Sequence, residues 1–249
     1  MTAPSAPLPP HPPLTGYYGA PPKRRRYVND LFDKTAHHYD TIERLFLNSG
    51  LWYRRRILQR AGLGAGMTVL DVAIGTAAVA RGAAQLVGPT GRVYGVDPSL
   101  GMLGQARRSF KGPLTRGVAE TLPFKSNTFD FVTMGIALRH VSDLVVAFSE
   151  YLRVLKPGGT VWLLEGHVPA SRIGQELTRF VWARAIPAMT LVATGSREAK
   201  ELMDYYWDTV EQCVAPDAIL GALHTAGFAE RRYDVVMPGM FETYTAKKR

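Results

Sequence analysis

From Tyr27 onward, apolar or small residues recur every three or four positions: Val28, Leu31, Phe32, Thr35, Tyr39, Ile42, Leu45 and Phe46. That spacing predicts one long amphipathic helix. A second, short helix fits Trp52–Ala61, and the RRR run at 54–56 reads as its solvated face. The rhythm then changes. Short apolar runs at Thr68–Val72, Arg92–Val96, Leu114–Val118, Phe129–Met134 and Thr160–Glu165 read as strands. Helical patterns separate them at Thr76–Val87, Leu100–Phe110 and Asp143–Leu155. The runs are continuously apolar rather than alternating, as expected of a parallel sheet covered on both faces. The expected fold class is α/β, with a doubly wound sheet and helices on both sides.

Residues 172–212 interrupt the alternation with long apolar, helix-compatible runs broken by Pro187 and Gly195. We read them as an inserted helical lid. A helix over Pro216–Ala226 follows, with Gly227 as its stop signal. Strands near Arg232–Val236 and Phe241–Ala246 would close the sheet. Residues 1–26 differ in kind: eight of the 17 prolines lie in the first 22 residues, which predicts a flexible, partly polyproline-II tail. The domain proper is expected over 27–249. No internal repeat occurs.

Charge changes this picture little. The net charge is +9, and Lys23, Arg24, Arg25 and Arg26 carry four of the nine. A basic knot on a tail suits an anionic membrane surface or nucleic acid. One cysteine, Cys213, excludes an intrachain disulfide and a cysteine metal cluster. The histidines are scattered without an H-E-x-x-H pattern, so no metal is expected. No stretch is long and apolar enough to span a bilayer, and no secretory leader pattern is present, so a cytoplasmic place is expected.

The chemistry concentrates where strands end. In VLDVAIGTA (69–77), Asp71 lies late in the first strand, and Gly75 lets backbone approach a ligand at the start of a helix. The dinucleotide pattern G-x-G-x-x-G is missing, as is a phosphate loop. A cofactor without a pyrophosphate needs fewer glycines. RVYGVD ends in Asp97, about 20 residues on, where an acid can accept hydrogen bonds from both ribose hydroxyls. VAETLPF (118–124), FDFVTMGIALRH (129–140) and LRVLKPGGTVWLLE (152–165) follow in order.

On these stretches, with LFDKTAHHYD, GMTVLDVAIGT, GRVYGVDPSLGML, NTFDFVTMGIALRH and YLRVLKPGG, the chain resembles class I methyltransferases that use S-adenosyl-L-methionine. More narrowly, it resembles the ubiquinone/menaquinone C-methyltransferase family, from about Val28 to Lys247. The resemblance implies a Rossmann-like fold and that cofactor. It puts Thr76 at the threonine of the glycine-rich turn and Asp97 at the ribose acid. Val118 and Ala119 fall beside the adenine, Gly135 where a serine is usual, and Tyr39 on a helix that covers the cofactor. Asp71, Ala73, Gly75, Pro98 and Met102 complete the expected cofactor set. The chain departs from the family in three further places. AIGTA replaces A-G-G-T-G, so Ile74 and Ala77 should pack the turn more tightly. Val118 lacks the hydrogen bonds of asparagine. His140 stands where asparagine usually follows the arginine matched by Arg139.

Methylating a quinol carbon requires a neighbouring hydroxyl to lose its proton, so a general base is needed. Histidine suits that near neutral pH. His37, His38, His140 and His167 fall on segments expected at the cofactor end, with His140 the first choice of base and His167 the second. Arg139 is too basic to take a proton, but it can stabilise a phenolate. Glu165 is an orienting partner or a structural one. Phe180, Trp182, Ile186, Met189, Leu191, Met203, Tyr205, Tyr206 and Trp207 are either core or a greasy wall for an apolar substrate. The expected acceptor is a small apolar aromatic molecule carrying a prenyl tail, with peripheral membrane contact; a homo-oligomer is compatible. The alternatives are a methyltransferase of a soluble aromatic or isoprenoid metabolite, a catalytically silent partner subunit, and a nucleic-acid enzyme. The last is disfavoured because the fourth strand ends in MGIALRH and no basic–aromatic stacking pattern exists.

Overall fold

The computed structural model describes residues 7–47 and 50–249, side chains 43–53 apart. The expected apolar positions Leu45, Phe46 and Trp52 thus lie outside the described side chains, and residues 1–6 of the expected tail lie outside the described chain.

Seven strands form one sheet in the order β3-β2-β1-β4-β5-β7-β6. They are β1 Thr68–Val72, β2 Arg92–Asp97, β3 Leu114–Arg116, β4 Phe129–Gly135, β5 Leu155–Gly166, β6 Ala229–Met237 and β7 Phe241–Lys247. The first five are parallel, and β7 runs antiparallel between β5 and β6. All seven expected strands are present. β3 is shorter than expected because the chain leaves the ladder at Gly117, where a Cβ would press on Val96 and Pro123. β5 is longer, because it begins inside the expected KPGG turn.

The helices are α1 Thr15–Tyr18, α2 Arg24–Leu47, α3 Gly50–Arg60, α4 Ala78–Val87, α5 Leu100–Ser109, α6 Leu144–Val154, α7 Arg172–Phe180, α8 Ile186–Thr194, α9 Arg197–Glu211 and α10 Pro216–Thr225. β1 shows why this sheet needs two covers. Val69 points to a core shared with α3, α4 and α5, whereas Leu70 and Val72 point to one shared with α6 and α10. Side chains of opposite parity along one strand supply both cores.

The insertion between β5 and α10 is helical as expected, and its two breakers sit at helix ends. Pro187 lies in the first turn of α8, where its missing N–H costs nothing. Gly195 closes α8 at φ 67°, a left-handed position. A π-helical turn, Val181–Ala185, joins α7 to α8. α2 and α9 share a third core containing Val28, Leu31, Ile42, Trp182 and Leu202.

Residues 7–26 differ from the expected loose tail. They lie along the domain as a strap. The prolines lack N–H groups, but carbonyls here still accept: Leu144 N donates to Leu8 O (3.0 Å), and Val214 N donates to Pro10 O (2.8 Å). His11 and Tyr18 are buried. Arg24, expected in a free basic knot, donates to Arg139 O (2.6 Å) and Val141 O (3.1 Å). Lys23, Arg25 and Arg26 remain exposed.

Candidate active site

The carboxyl ends of β1, β2 and β4 open into a cavity of about 870 Å³, its open mouth included. This is where a doubly wound sheet reverses its winding. The turn after β1 forms the floor. Ala73, Gly75 and Ala77 all adopt positive φ (53°, 55° and 69°). The two alanines there cost roughly 1 kcal/mol each. A Cβ added at Gly75 would meet no atom within 4 Å, so this glycine serves conformation and close approach. Ile74, in place of a second glycine, is 5% exposed and fills the space over Gly95, which has no room for a Cβ. The turn is thus packed from below by its own departure from the family pattern.

Asp97 ties this turn to β2. Its Oδ2 accepts from Gly75 N (2.9 Å) and its Oδ1 from Ser99 N (2.9 Å). Burial lifts its pKa to about 6 against those two hydrogen bonds. Ser99 caps α5, accepting from Met102 N, and donates to Asp33 of α2 (2.5 Å). The N-terminal helix is thereby pinned over the cofactor end. Asp71 is fully desolvated. Its Oδ1 accepts from Thr133 Oγ1 (2.7 Å), while Oδ2 is buried without a hydrogen-bond partner. Burial lifts its pKa to about 7, opposed by Thr133, the Ala80 backbone and the Arg54 charge.

The structure brings the expected cofactor residues together. Tyr39, Asp71, Ala73, Gly75, Thr76, Asp97, Pro98, Met102 and Gly135 line the cavity. Val118 and Ala119 line an adjoining slot that shares Ala73, Pro98 and His140 with it. At Gly135 a side chain would strike Val79 Cγ2 at 2.7 Å, so this wall must stay flat. Arg54 was missed. It belongs to the RRR run expected to be a solvated face, yet it is 5% exposed and lines the cavity. The signal was available: Arg54 precedes the buried Ile57 and Leu58 by three and four residues, which puts it on the inward face of α3.

The proposed catalytic residues part company. His140 lines both the cofactor cavity and a chamber of about 250 Å³ beside it, formed by Phe32, Tyr39, Ile136, Leu202, Met203, Tyr205 and Tyr206. Its ring stacks on Tyr205 (5.7 Å, 17°) and meets the edge of Phe32 (5.2 Å). Nδ1 is buried without a partner. Burial, then Arg139, Arg24 and His11, hold its pKa well below the ordinary imidazole value, so the ring is neutral.

Arg139 lines neither cavity. It is 1% exposed; its Nε donates to Glu165 Oε2 (3.1 Å), and its guanidinium lies 4.4 Å over the Tyr206 ring. Glu165 also accepts from Leu138 N (2.6 Å) and Gly166 N (3.3 Å). Burial raises its pKa, opposed by the Arg139 charge and by the Leu138 and Gly166 N–H groups. His167 lines neither cavity either. Its Nδ1 faces Glu242 Oε2 (2.9 Å), a carboxylate that also accepts from Tyr233 and Tyr244. His37 and His38 lie side by side on α2, outside the cavity lining. Met203, Tyr205 and Tyr206 line the small chamber, and Met203 and Tyr205 also belong to the third core. Trp182, Ile186 and Trp207 are core, while Phe180 and Met189 face outward. Among the described residues no cluster of potential metal ligands occurs.

These features fit S-adenosyl-L-methionine. The cavity adjoins a second slot, Asp97 offers carboxylate lone pairs, and Arg54 places a cation near Asp71. Comparison with known proteins agrees. A model of the ubiE/COQ5 methyltransferase family matches residues 22–248. The demethylmenaquinone methyltransferase of Symbiobacterium thermophilum is 35% identical over 241 residues, covering 92% of this chain and 96% of the relative. That of Anoxybacillus flavithermus is 34% identical, covering 81% and 86%. A solved SAM-dependent methyltransferase from Aquifex aeolicus shares the fold at TM-score 0.60 and 20% identity, covering 84% of this chain and 98% of the other. The chain belongs to the ubiE/COQ5 methyltransferase family and is an S-adenosylmethionine-dependent methyltransferase.

Proposed function

We propose that this enzyme methylates a ring carbon of a prenylated quinol of the demethylmenaquinone type, reached from a membrane surface. One observation carries the reading: His140 lines both the cofactor cavity and the aromatic chamber beside it. An acceptor ring lying in that chamber meets a neutral imidazole at the junction, where the methyl group must cross.

S-adenosylmethionine, when bound, supplies a methyl group on a sulfonium. Asp97 would accept hydrogen bonds from the ribose hydroxyls, Val118 and Ala119 would hold the base, and Arg54 with the Gly75–Thr76 turn would hold the amino-acid end. Tyr39, with Leu202, Met203 and Tyr206 of α9, excludes water from the chamber. His140, kept neutral by burial and by nearby cations, takes the quinol hydroxyl proton, which makes the ring carbon nucleophilic. Holding that carbon in near-attack geometry provides much of the rate. Arg139 and His167 act at one remove. Arg139 braces Tyr206 from behind, and its charge depresses the basicity of His140.

The test is a methyl-transfer assay read by mass spectrometry, with reduced demethylmenaquinone, the ubiquinone precursor, and soluble phenols and indoles in parallel. A single-methyl gain on a quinol ring carbon is the expected result. Turnover confined to a soluble compound overturns the quinol assignment.

A further inference from the structure

Among the described residues, nine large hydrophobic side chains are exposed, and six of them fall between Ile173 and Val192. Single exposed apolar residues are ordinary, but a concentration of this kind marks a binding surface. Ile173 (85% exposed), Leu177 (64%) and Phe180 (64%) recur at steps of four and three, so they form one stripe along α7. Of the nine residues of that helix, only Thr178 is buried. α8 adds Met189 and Val192, the latter 87% exposed, and contains no charged residue. Arg172 and Arg184 are exposed at the rim, while Arg179, also exposed, is paired with Glu176 (3.0 Å) and with Glu211 of α9 (2.6 Å).

We propose that the α7–α8 face is a membrane-docking surface that seats in the headgroup region of an anionic bilayer. A stripe of bulky apolar side chains with arginines at its edge is the pattern of helices that lie in the interface plane. Charge selects the occupant. A two-fold dimer through this patch would bring the arginines of one copy against those of the other, whereas anionic lipid complements them. The surface is also next to the site. Trp182, on the π-helical turn between the two helices, points inward. Its ring stacks on Tyr206 (5.2 Å, 21°), which lines the acceptor chamber, and its Nε1 donates to Gly239 O (3.3 Å). Seating the turn in a bilayer places the acceptor chamber two stacked side chains, Trp182 and Tyr206, from the lipid. The proposal deepens the reading of a membrane-dissolved acceptor, and its test uses no acceptor.

The full chain is floated with vesicles of phosphatidylcholine alone and of phosphatidylcholine with phosphatidylglycerol. Wild type is expected to bind the anionic vesicles, and the triple variant Ile173→Ser/Leu177→Ser/Phe180→Ser to bind at least about tenfold more weakly, with thermal midpoint and S-adenosylmethionine affinity unchanged. Arg172→Glu/Arg184→Glu is expected to abolish the preference for phosphatidylglycerol while leaving the apolar stripe intact. Vesicle binding by the triple variant equal to wild type overturns the proposal. So does a wild-type dimer that the triple variant converts to monomer without any vesicle binding in either. Vesicle binding that follows these expectations, with no turnover on quinols, would leave the surface standing and sink the quinol assignment alone.

Discussion

The two ends of the sheet's carboxyl edge treat charge in opposite ways. Around β1 and β2, ionisable groups face an open cavity with spare capacity: Asp71 Oδ2 is unpartnered, and Asp97 holds the turn through one hydrogen bond on each oxygen. Around β5 and β7 the carboxylates are each held by a cation, a histidine or hydroxyls. Glu165 and Glu242 sit directly opposite each other across the antiparallel pair. Two like charges in that position repel, and the structure answers with Arg139 on one and His167 with two tyrosines on the other. The lesson is that residue type alone does not make a catalytic group. His140 faces both cavities with no carboxylate partner, whereas Arg139 and His167 are each held by a buried carboxylate and line neither cavity.

This contrast can be broken most forcefully at its closed end. Arg139→Met leaves Glu165 buried with backbone donors only, and removing one partner of such a pair costs about 3–5 kcal/mol. Urea unfolding should show that loss, and Arg139→Met/Glu165→Met should recover most of it. A loss below about 1 kcal/mol would mean the pair is not the structural brace described here.

His140→Ala comes next. Removing a general base is expected to lower kcat by at least about 100-fold while leaving cofactor affinity within a few-fold. If cofactor affinity falls in step with kcat, His140 serves binding and not proton transfer. Asp97→Asn should weaken S-adenosylmethionine binding by about 10- to 100-fold, the range for losing hydrogen bonds to a charged group; calorimetric titration reads this directly, and an unchanged dissociation constant would displace the ribose from Asp97.

His167→Ala is the control at the closed end. Glu242 keeps Tyr233 and Tyr244, so kcat should change by less than about tenfold, below the range of a lost base. A larger loss would make His167 the proton acceptor after all. A separate test is a pH dependence. Folding raises the pKa of Asp71 to about 7 and of Asp97 to about 6, from 3.8. The folded chain therefore holds protons that the unfolded chain releases, and this contribution to stability is complete below about pH 4 and lost as pH rises through 6 to 7. The thermal midpoint of wild type should fall relative to Asp71→Asn between pH 5 and 8; parallel curves would show that Asp71 is already ionised in the fold.

Much of this was legible in the chain itself. β1 matched residue for residue, because its continuous apolar run has only one way to be covered on both faces. The α8 boundaries were visible at Pro187 and Gly195, since local backbone sterics act whatever the surroundings. The cofactor wall was visible too, because turn, acid and flat strand end are adjacent in sequence to the strands that place them. Three things were decided only by the tertiary structure. The proline-rich strap docks through carbonyls that meet Leu144 and Val214, partners more than 130 residues away. Arg54 turned from a solvated face into the cavity when α3 packed on the sheet. The separate fates of His140, Arg139 and His167 depended on Glu165 and Glu242, which become neighbours only when β7 pairs with β5. Local sterics and periodicity are properties of a sequence, but the desolvation and pairing that decide which charge is free exist only once distant strands meet.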